Sequence, residues 1–287
     1  MIQSILTNER FLKNLQRIML YAAIIFIAFY ALFPFYWAFS TSFKTESEMF
    51  QSASYLPRNP TLKNYEYVFR DNTFVNSLKN SAIVSSLTAV LALVVGSFAA
   101  YALGRLRFKG RVVMLYIVLS MTMFPAISIL SGLYTIVREL GFFGTPLALI
   151  ATYPVFILPF TVWVLTSFFR GLPAEIEQAA IVDGATPFQT FRLILLPLTA
   201  PALVTTGLLA FVLSWNEYLF ALNFTTTNPD AKTVPVTIAQ FTGQFARQEP
   251  IAEIMAAAMV VTIPLVVLVL IFQNRIVEGL TAGAVKG

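Results

Sequence analysis

Residues able to do chemistry are few in this chain, and they gather in two places. Asn216, Glu217 and Tyr218 interrupt an apolar run, SWNEYLFAL from Ser214 to Leu222. They offer an amide, a carboxylate and a phenol that could hydrogen-bond a polar solute. Glu217 fits two readings, a group facing a solute pathway or an interfacial residue reaching water. The second place is Glu175 to Pro197, EIEQAAIVDGATPFQTFRLILLP, a partly polar stretch between two greasy ones. Everything else is bounded by absence. With no His and no Cys, thiol nucleophiles, imidazole acid–base catalysis and the common zinc ligand sets are excluded. No cluster of paired carboxylates shares one membrane depth, and no G-x-x-x-x-G-K-S/T phosphate loop occurs. The chain reads as a non-catalytic protein without a metal site or a cofactor of its own.

The elements that must position these residues are membrane spans. Of 287 residues, 57% are hydrophobic and 11% charged, and the mean hydropathy is +0.75, which marks an integral membrane protein. Six charge-free windows of 26, 25, 26, 30, 24 and 21 residues follow Arg17, Lys79, Arg111, Glu139, Arg192 and Glu253. Each suffices for a bilayer, which needs about 20 helical residues. An all-α fold of six transmembrane helices is expected, because open sheets cannot satisfy their backbone in lipid. The expected spans are about 18–39, 80–104, 112–136, 145–169, 196–221 and 254–274, within a single domain over 1–287. The first is too long for a secretory signal and is read as retained.

Charge sets the orientation. The N-terminus, the loops around 105–111 and 170–192 and the C-terminal tail together hold 11 basic and 5 acidic residues, against 8 and 9 on the other side. Both termini are therefore expected in the cytoplasm, with GRLRFKGR, Gly104 to Arg111, as the strongest inside marker. The reverse topology would put that basic hairpin outside. Two segments facing outward, roughly 41–78 and 225–253, are too long for turns and are expected to fold as docking surfaces.

Local signals give Glu175 to Pro197 a structure. Pro173 suits a helix start, Glu175 and Glu177 complement the positive end of the helix dipole, and Gly184 suits a left-handed helix end. Thr186, Pro187 and Gln189 then make a capping box that starts a second helix running into the fifth span. A helix–turn–helix over 171–195, on the cytoplasmic face between spans four and five, is the expectation. Ala179, Ala180 and Gly184 would keep one surface thin. An amphipathic hairpin in the lipid interface is the competing reading, but the first helix lacks the basic and Trp residues that lipid headgroups favour.

This stretch resembles the EAA motif of binding-protein-dependent ABC importer permeases, Glu-Ala-Ala, three residues, Gly, nine residues, then Ile-x-Leu-Pro. The match falls on Gln178, Ala179, Ala180, Gly184, Ile194, Leu196 and Pro197, with every spacing kept and Gln178 in place of the leading Glu. MTMFPAIS (Met121 to Ser128), SWNEYLFAL and QNRIVEGLTAGAVKG (Gln273 to Gly287) are similar to the maltose- and trehalose-type sugar permeases. The resemblance implies the type I permease fold in the inner membrane of a prokaryote. It also implies a second permease subunit as partner, two ATPase subunits that use ATP and Mg, and an extracytoplasmic solute-binding protein delivering a small oligosaccharide or glycoside. On that footing Glu177, Gln178, Ala179, Ala180, Asp183 and Gly184 couple to the ATPase. The tail GLTAGAVKG, with Gly279, Gly283 and Lys286, reads as too small and flexible for an anchored helix and is expected against the ATPase subunits. A stand-alone ion-coupled transporter is the alternative, and a membrane enzyme is a weaker third.

Overall fold

The computed structural model describes residues 2–51, 54–241 and 250–284. Helices account for all the regular structure among them. The contacts divide what reads as one domain into two compact units, Met1–Val68 with Phe245–Val260, and Phe69–Gln244 with Val261–Gly287.

In the first unit, α1 (Ile2–Ser42) extends well beyond the expected 18–39 and keeps Pro34 inside it. Its apolar window is 0% buried, so its side chains are left to lipid or another chain. The segment after it is folded, around α2 (Glu46–Gln51) and the start of α3 (Lys63–Arg70). Asn64 holds it closed by donating from Nδ2 to the carbonyls of Ser42 and Lys44, at 2.8 and 2.9 Å. Lys44 lies over the Trp37 ring, 4.7 Å from its centre, and donates to the Ser54 carbonyl. Glu48 Oε1 accepts from the backbone N–H of Arg58 at 2.6 Å.

In the second unit, α4 (Asn72–Gly104) is the central helix. Asp71 caps its start by accepting from Thr73 N–H at 2.8 Å. Small residues repeat along one face of α4 at Ala92, Gly96, Ala100 and Gly104, a four-residue spacing that lets another helix approach closely. α5 (Arg111–Ser120) and α6 (Ala126–Glu139) come next, then α7 (Pro146–Thr152) and α8 (Pro154–Gly171). α8 packs along the small face of α4. A Cβ on Gly96 would come within 2.6 Å of Thr161 Cγ2.

The coupling stretch follows as α9 (Ala174–Val182) and α10 (Pro187–Gln189), a π-helical segment Thr190–Leu195, and α11 (Leu196–Leu198). α12 (Ala200–Trp215), α13 (Leu219–Thr225), α14 (Val234–Phe241) and α15 (Ile251–Ala284) complete the chain. A core of Val84, Leu149, Tyr153, Ile157, Phe220 and Phe224 fills the middle of the unit, and a second, with Ala100, Leu165, Phe169, Phe191 and Leu195, lies toward the ends of α4 and α8.

Four helices or helix runs are long and apolar enough to cross a membrane, Leu12–Ser42, Asn72–Gly104, Pro146–Gly171 and Ile251–Arg275. The expected third and fifth spans are bent. Arg111–Met123 and Ala126–Glu139 meet at 96°, and Pro187–Leu198 meets Ala200–Trp215 at 76°, so six spans result if each bent pair is one. Prolines explain both bends. Phe124 and Pro125 are extended, as the residue before a proline prefers. At the second bend Pro201 has no N–H, and the Thr199 hydroxyl donates to the carbonyls of Leu195 and Leu196, both at 3.0 Å. Residues 216–221 of the expected fifth span are likewise not a continuation of it, because the helix stops at Trp215 and restarts at Leu219.

The tail corrects the sequence reading. α15 continues through Gly279 and Gly283 to Ala284, because adding residues to an existing helix costs far less than nucleating one. Lys286 lies outside the described residues.

Candidate functional site

α9 is built as its sequence demands. Its last turn closes as a Schellman motif, with Ala185 N–H donating to Ala180 O at 2.9 Å and Gly184 N–H to Ile181 O at 3.0 Å. Gly184 takes φ +80°, the left-handed conformation this motif needs. The capping box is complete, since Gln189 N–H donates to Thr186 Oγ1 at 3.3 Å and Thr186 N–H to Gln189 Oε1 at 2.8 Å. The second helix does not run straight into a span. It becomes π-helical over Thr190–Leu195 and turns at Thr199.

Both halves of this helix–turn–helix are tied to α4 and α8. Phe191 is buried in an aromatic cluster, its ring centre 4.9 Å from that of Tyr101, 5.1 Å from Phe98 and 6.1 Å from Phe169. Phe188 stacks on Phe98 at 6.5 Å. Arg105, just past the end of α4, holds the first half. Its Nη1 donates to the carbonyls of Leu172 at 2.9 Å and Phe169 at 3.4 Å, and its Nη2 to Pro173 at 3.3 Å. Its Nε lies 3.0 Å from Glu177 Oε1. In return Arg170, at the end of α8, donates to the Leu103 carbonyl of α4 at 3.3 Å. Each arginine thus reaches carbonyls at the C-terminal end of the other helix, where the dipole favours a cation.

The six residues expected to form a coupling surface are divided by this geometry. Gln178, Ala179, Asp183 and Gly184 are exposed. Ala180 is not, with 3% of its surface accessible, so it packs against its own chain and cannot form the thin outer face expected of it. Glu177 turns inward to Arg105. The outer face instead carries Ile181 and Val182, 68% and 86% exposed, and Phe188. Burial separates these roles, and the sequence pattern alone does not reveal it.

The second group of polar residues is used partly by the fold. Glu217 accepts from the N–H of Phe220 at 2.9 Å and of Ala221 at 3.0 Å, one on each carboxylate oxygen, and so caps α13. Asn216 Nδ2 donates to the Val212 carbonyl at 2.8 Å, and Tyr218 is exposed. None of the three lines the apolar groove of about 800 Å³ at the Phe124–Pro125 bend, whose walls include Leu119, Phe156, Phe160, Trp163 and Leu213. Trp215 is buried. Among the described residues no group of three His, Cys, Asp or Glu side chains could hold a metal.

Residues 92–281 match the family described as binding-protein-dependent transport system inner membrane component. The chain belongs to that family. The trehalose transport system permease protein of Mycobacterium tuberculosis is 46% identical over 258 residues, covering 90% of this chain and 93% of the relative. The trehalose/maltose transport system permease protein of Thermococcus litoralis is 43% identical, covering 95% and 98%. The sulfoquinovosyl glycerol transport system permease protein of Agrobacterium fabrum is 40% identical, covering 89% of each. A crystal structure of a bacterial ABC transporter involved in alginate import shares the fold, with a TM-score of 0.76, 24% identity, and coverage of 90% of this chain and 95% of that one. The relatives are transporter permeases, and the stand-alone ion-coupled reading gives way to this family. Gly184, Ile194, Leu196 and Pro197, read from the motif, all fall inside the matched region.

Proposed function

We propose that this chain is the transmembrane permease subunit of an ATP-driven importer that moves a small oligosaccharide or glycoside of the maltose, trehalose or glucosylated-solute class. A solute-binding protein delivers the sugar from outside, and a second permease subunit completes the pathway. Two ATPase subunits use ATP and Mg, while this chain holds no cofactor and performs no hydrolysis. It sits in the inner membrane of a prokaryote with both termini in the cytoplasm. The names of the relatives support the solute class.

One observation carries the coupling role. The helix–turn–helix is fixed to α4 and α8 on its inner side, yet presents Ile181, Val182 and Phe188 outward. An apolar tip on an acidic helix held this way suits a protein cleft better than a charged headgroup layer. Gln178, Ala179, Asp183 and Gly184 surround that tip, and Gly279, Gly283 and Lys286 at the chain's end supply a further ATPase contact.

The test is Val182→Asp in the full complex. Val182 touches little of its own chain, so membrane insertion is expected to be unchanged. Burying an unpaired carboxylate in a cleft should weaken association by about 2 kcal/mol or more, and the ATPase should fall away during purification. ATPase retained at wild-type stoichiometry, with full transport, would remove this surface from the coupling contact.

A further inference from the structure

The joint between α8 and α9 is two extended residues, Leu172 and Pro173, with ψ of 141° and 138°. A short extended link of this kind is where a helix would swing if pushed. One side chain spans it. The Arg105 guanidinium donates to the carbonyls of Phe169 and Leu172 before the joint with Nη1 and to that of Pro173 with Nη2, and its Nε forms an ion pair, without hydrogen-bond geometry, with Glu177 Oε1 one turn into α9 at 3.0 Å. All three of its nitrogens are engaged, and its side chain is only 9% exposed. Arg105 itself belongs to neither helix, since it closes the last turn of α4 by donating its N–H to Tyr101 O at 2.9 Å.

We propose that Arg105, through Glu177 and the carbonyls of Phe169, Leu172 and Pro173, is a positioning residue that locks the Leu172–Pro173 joint so that α9 moves with α4 and α8 as one body. This rests on the coupling role proposed above for α9. A planar fork suits the task because it fixes direction as well as distance. With the lock in place, displacement of α9 by the ATPases must carry the two packed helices with it. Without it, α9 turns about the joint and hydrolysis proceeds with little movement of the spans. Lysine would keep the charge but reach fewer partners, because its ammonium is a single point. The cluster around Phe191 holds the second half of the helix–turn–helix and meets α9 through Ile176, an apolar contact that lacks the fixed direction of the arginine fork and so does not replace the lock.

The experiment uses the complete complex in proteoliposomes and measures sugar moved per ATP hydrolysed for Arg105→Gln, Arg105→Lys and Glu177→Gln. Arg105→Gln should retain the ATPase subunits and hydrolyse ATP, with the transport ratio falling about tenfold, the order expected for losing charge-assisted bonds that favour the coupled state. Glu177→Gln and Arg105→Lys should fall between it and wild type. Because the chain has no cysteine, spin labels at Val95→Cys on α4 and Glu175→Cys on α9 report the joint directly. Their distance distribution should broaden in Arg105→Gln. An unchanged ratio, or an unchanged distribution, would overturn the proposal. Loss of the ATPase in Arg105→Gln would also overturn it, because the residue would then be holding the contact surface and not the joint. The coupling role itself fails separately, through Val182→Asp.

Discussion

A Cβ at Gly184 would meet nothing within 4 Å, so crowding cannot be what keeps a glycine there. Its φ of +80° is the reason, since a side chain in that conformation costs about 1–2 kcal/mol. Gly184→Val should therefore lower sugar-stimulated hydrolysis while Gly184→Asn, which tolerates the left-handed region, retains most of it. Equal activity of the two variants would contradict the conformational account. Gly96 is the opposite case, because its backbone is ordinary and its space is filled by Thr161. Gly96→Ala should destabilise the protein by about 1–3 kcal/mol through overpacking. Thr161→Ser removes the offending methyl and keeps the hydroxyl that donates to Ile157 O. The double variant should recover its melting temperature in detergent, whereas an additive loss would mean that α4 and α8 do not meet there. Gly184, Thr186 and Gln189 were legible in the sequence because caps are local devices spanning a few residues. Arg105 was legible only as a charge. Its partners lie 64 to 72 positions away in the chain, and no local pattern encodes them.

Among the elements, helix existence followed directly from apolar length, and a kink at Pro125 followed from the proline itself, while its angle and the bend at Thr199 did not. A run of apolar residues sets how much chain can enter the bilayer, but Pro125 and Pro201 decide where it turns, and a proline inside a helix bends it to a degree that packing determines. Pro159 and Pro264 sit inside α8 and α15 without ending them. The inward face of α9 was also hidden, since Ala179 and Ala180 are alike in sequence and differ only in what packs against them. Outside the spans, the folded segment after α1 was expected from its length, and its internal ties make a pH prediction. The Arg58 backbone N–H, with help from Ser54 and Lys44, holds the Glu48 carboxyl below its usual pKa, against the opposing effect of burial. A carboxylate with a lowered folded pKa stabilises above its unfolded pKa, and that contribution is lost as pH falls through the folded value. Exchange of the Arg58 amide hydrogen, corrected for intrinsic rate, should therefore accelerate below the usual carboxylate range. In Glu48→Gln it should be fast at neutral pH and lose this pH dependence. Protection that does not change on acidification would show that Glu48 does not hold the segment.

At the scale of the whole molecule, hydropathy and charge distribution carried the class of protein, and the motif spacing carried the family. What they left unread was how force would pass through the chain. Two packed helices, α4 and α8, receive both halves of the helix–turn–helix, through Arg105 on one side and the Phe191 cluster on the other. That arrangement makes α9 part of a solid unit that a partner can push. The central claim is that this permease moves sugar only when an attached ATPase hydrolyses ATP. The direct measurement is uptake of labelled trehalose and maltose into proteoliposomes holding the purified complex, with binding protein and sugar outside and ATP with Mg inside. The account predicts uptake that needs ATP and the binding protein, persists when ion gradients are collapsed, and is lost in Val182→Asp. Uptake by this chain without ATPase subunits, driven by a proton or sodium gradient alone, would contradict it.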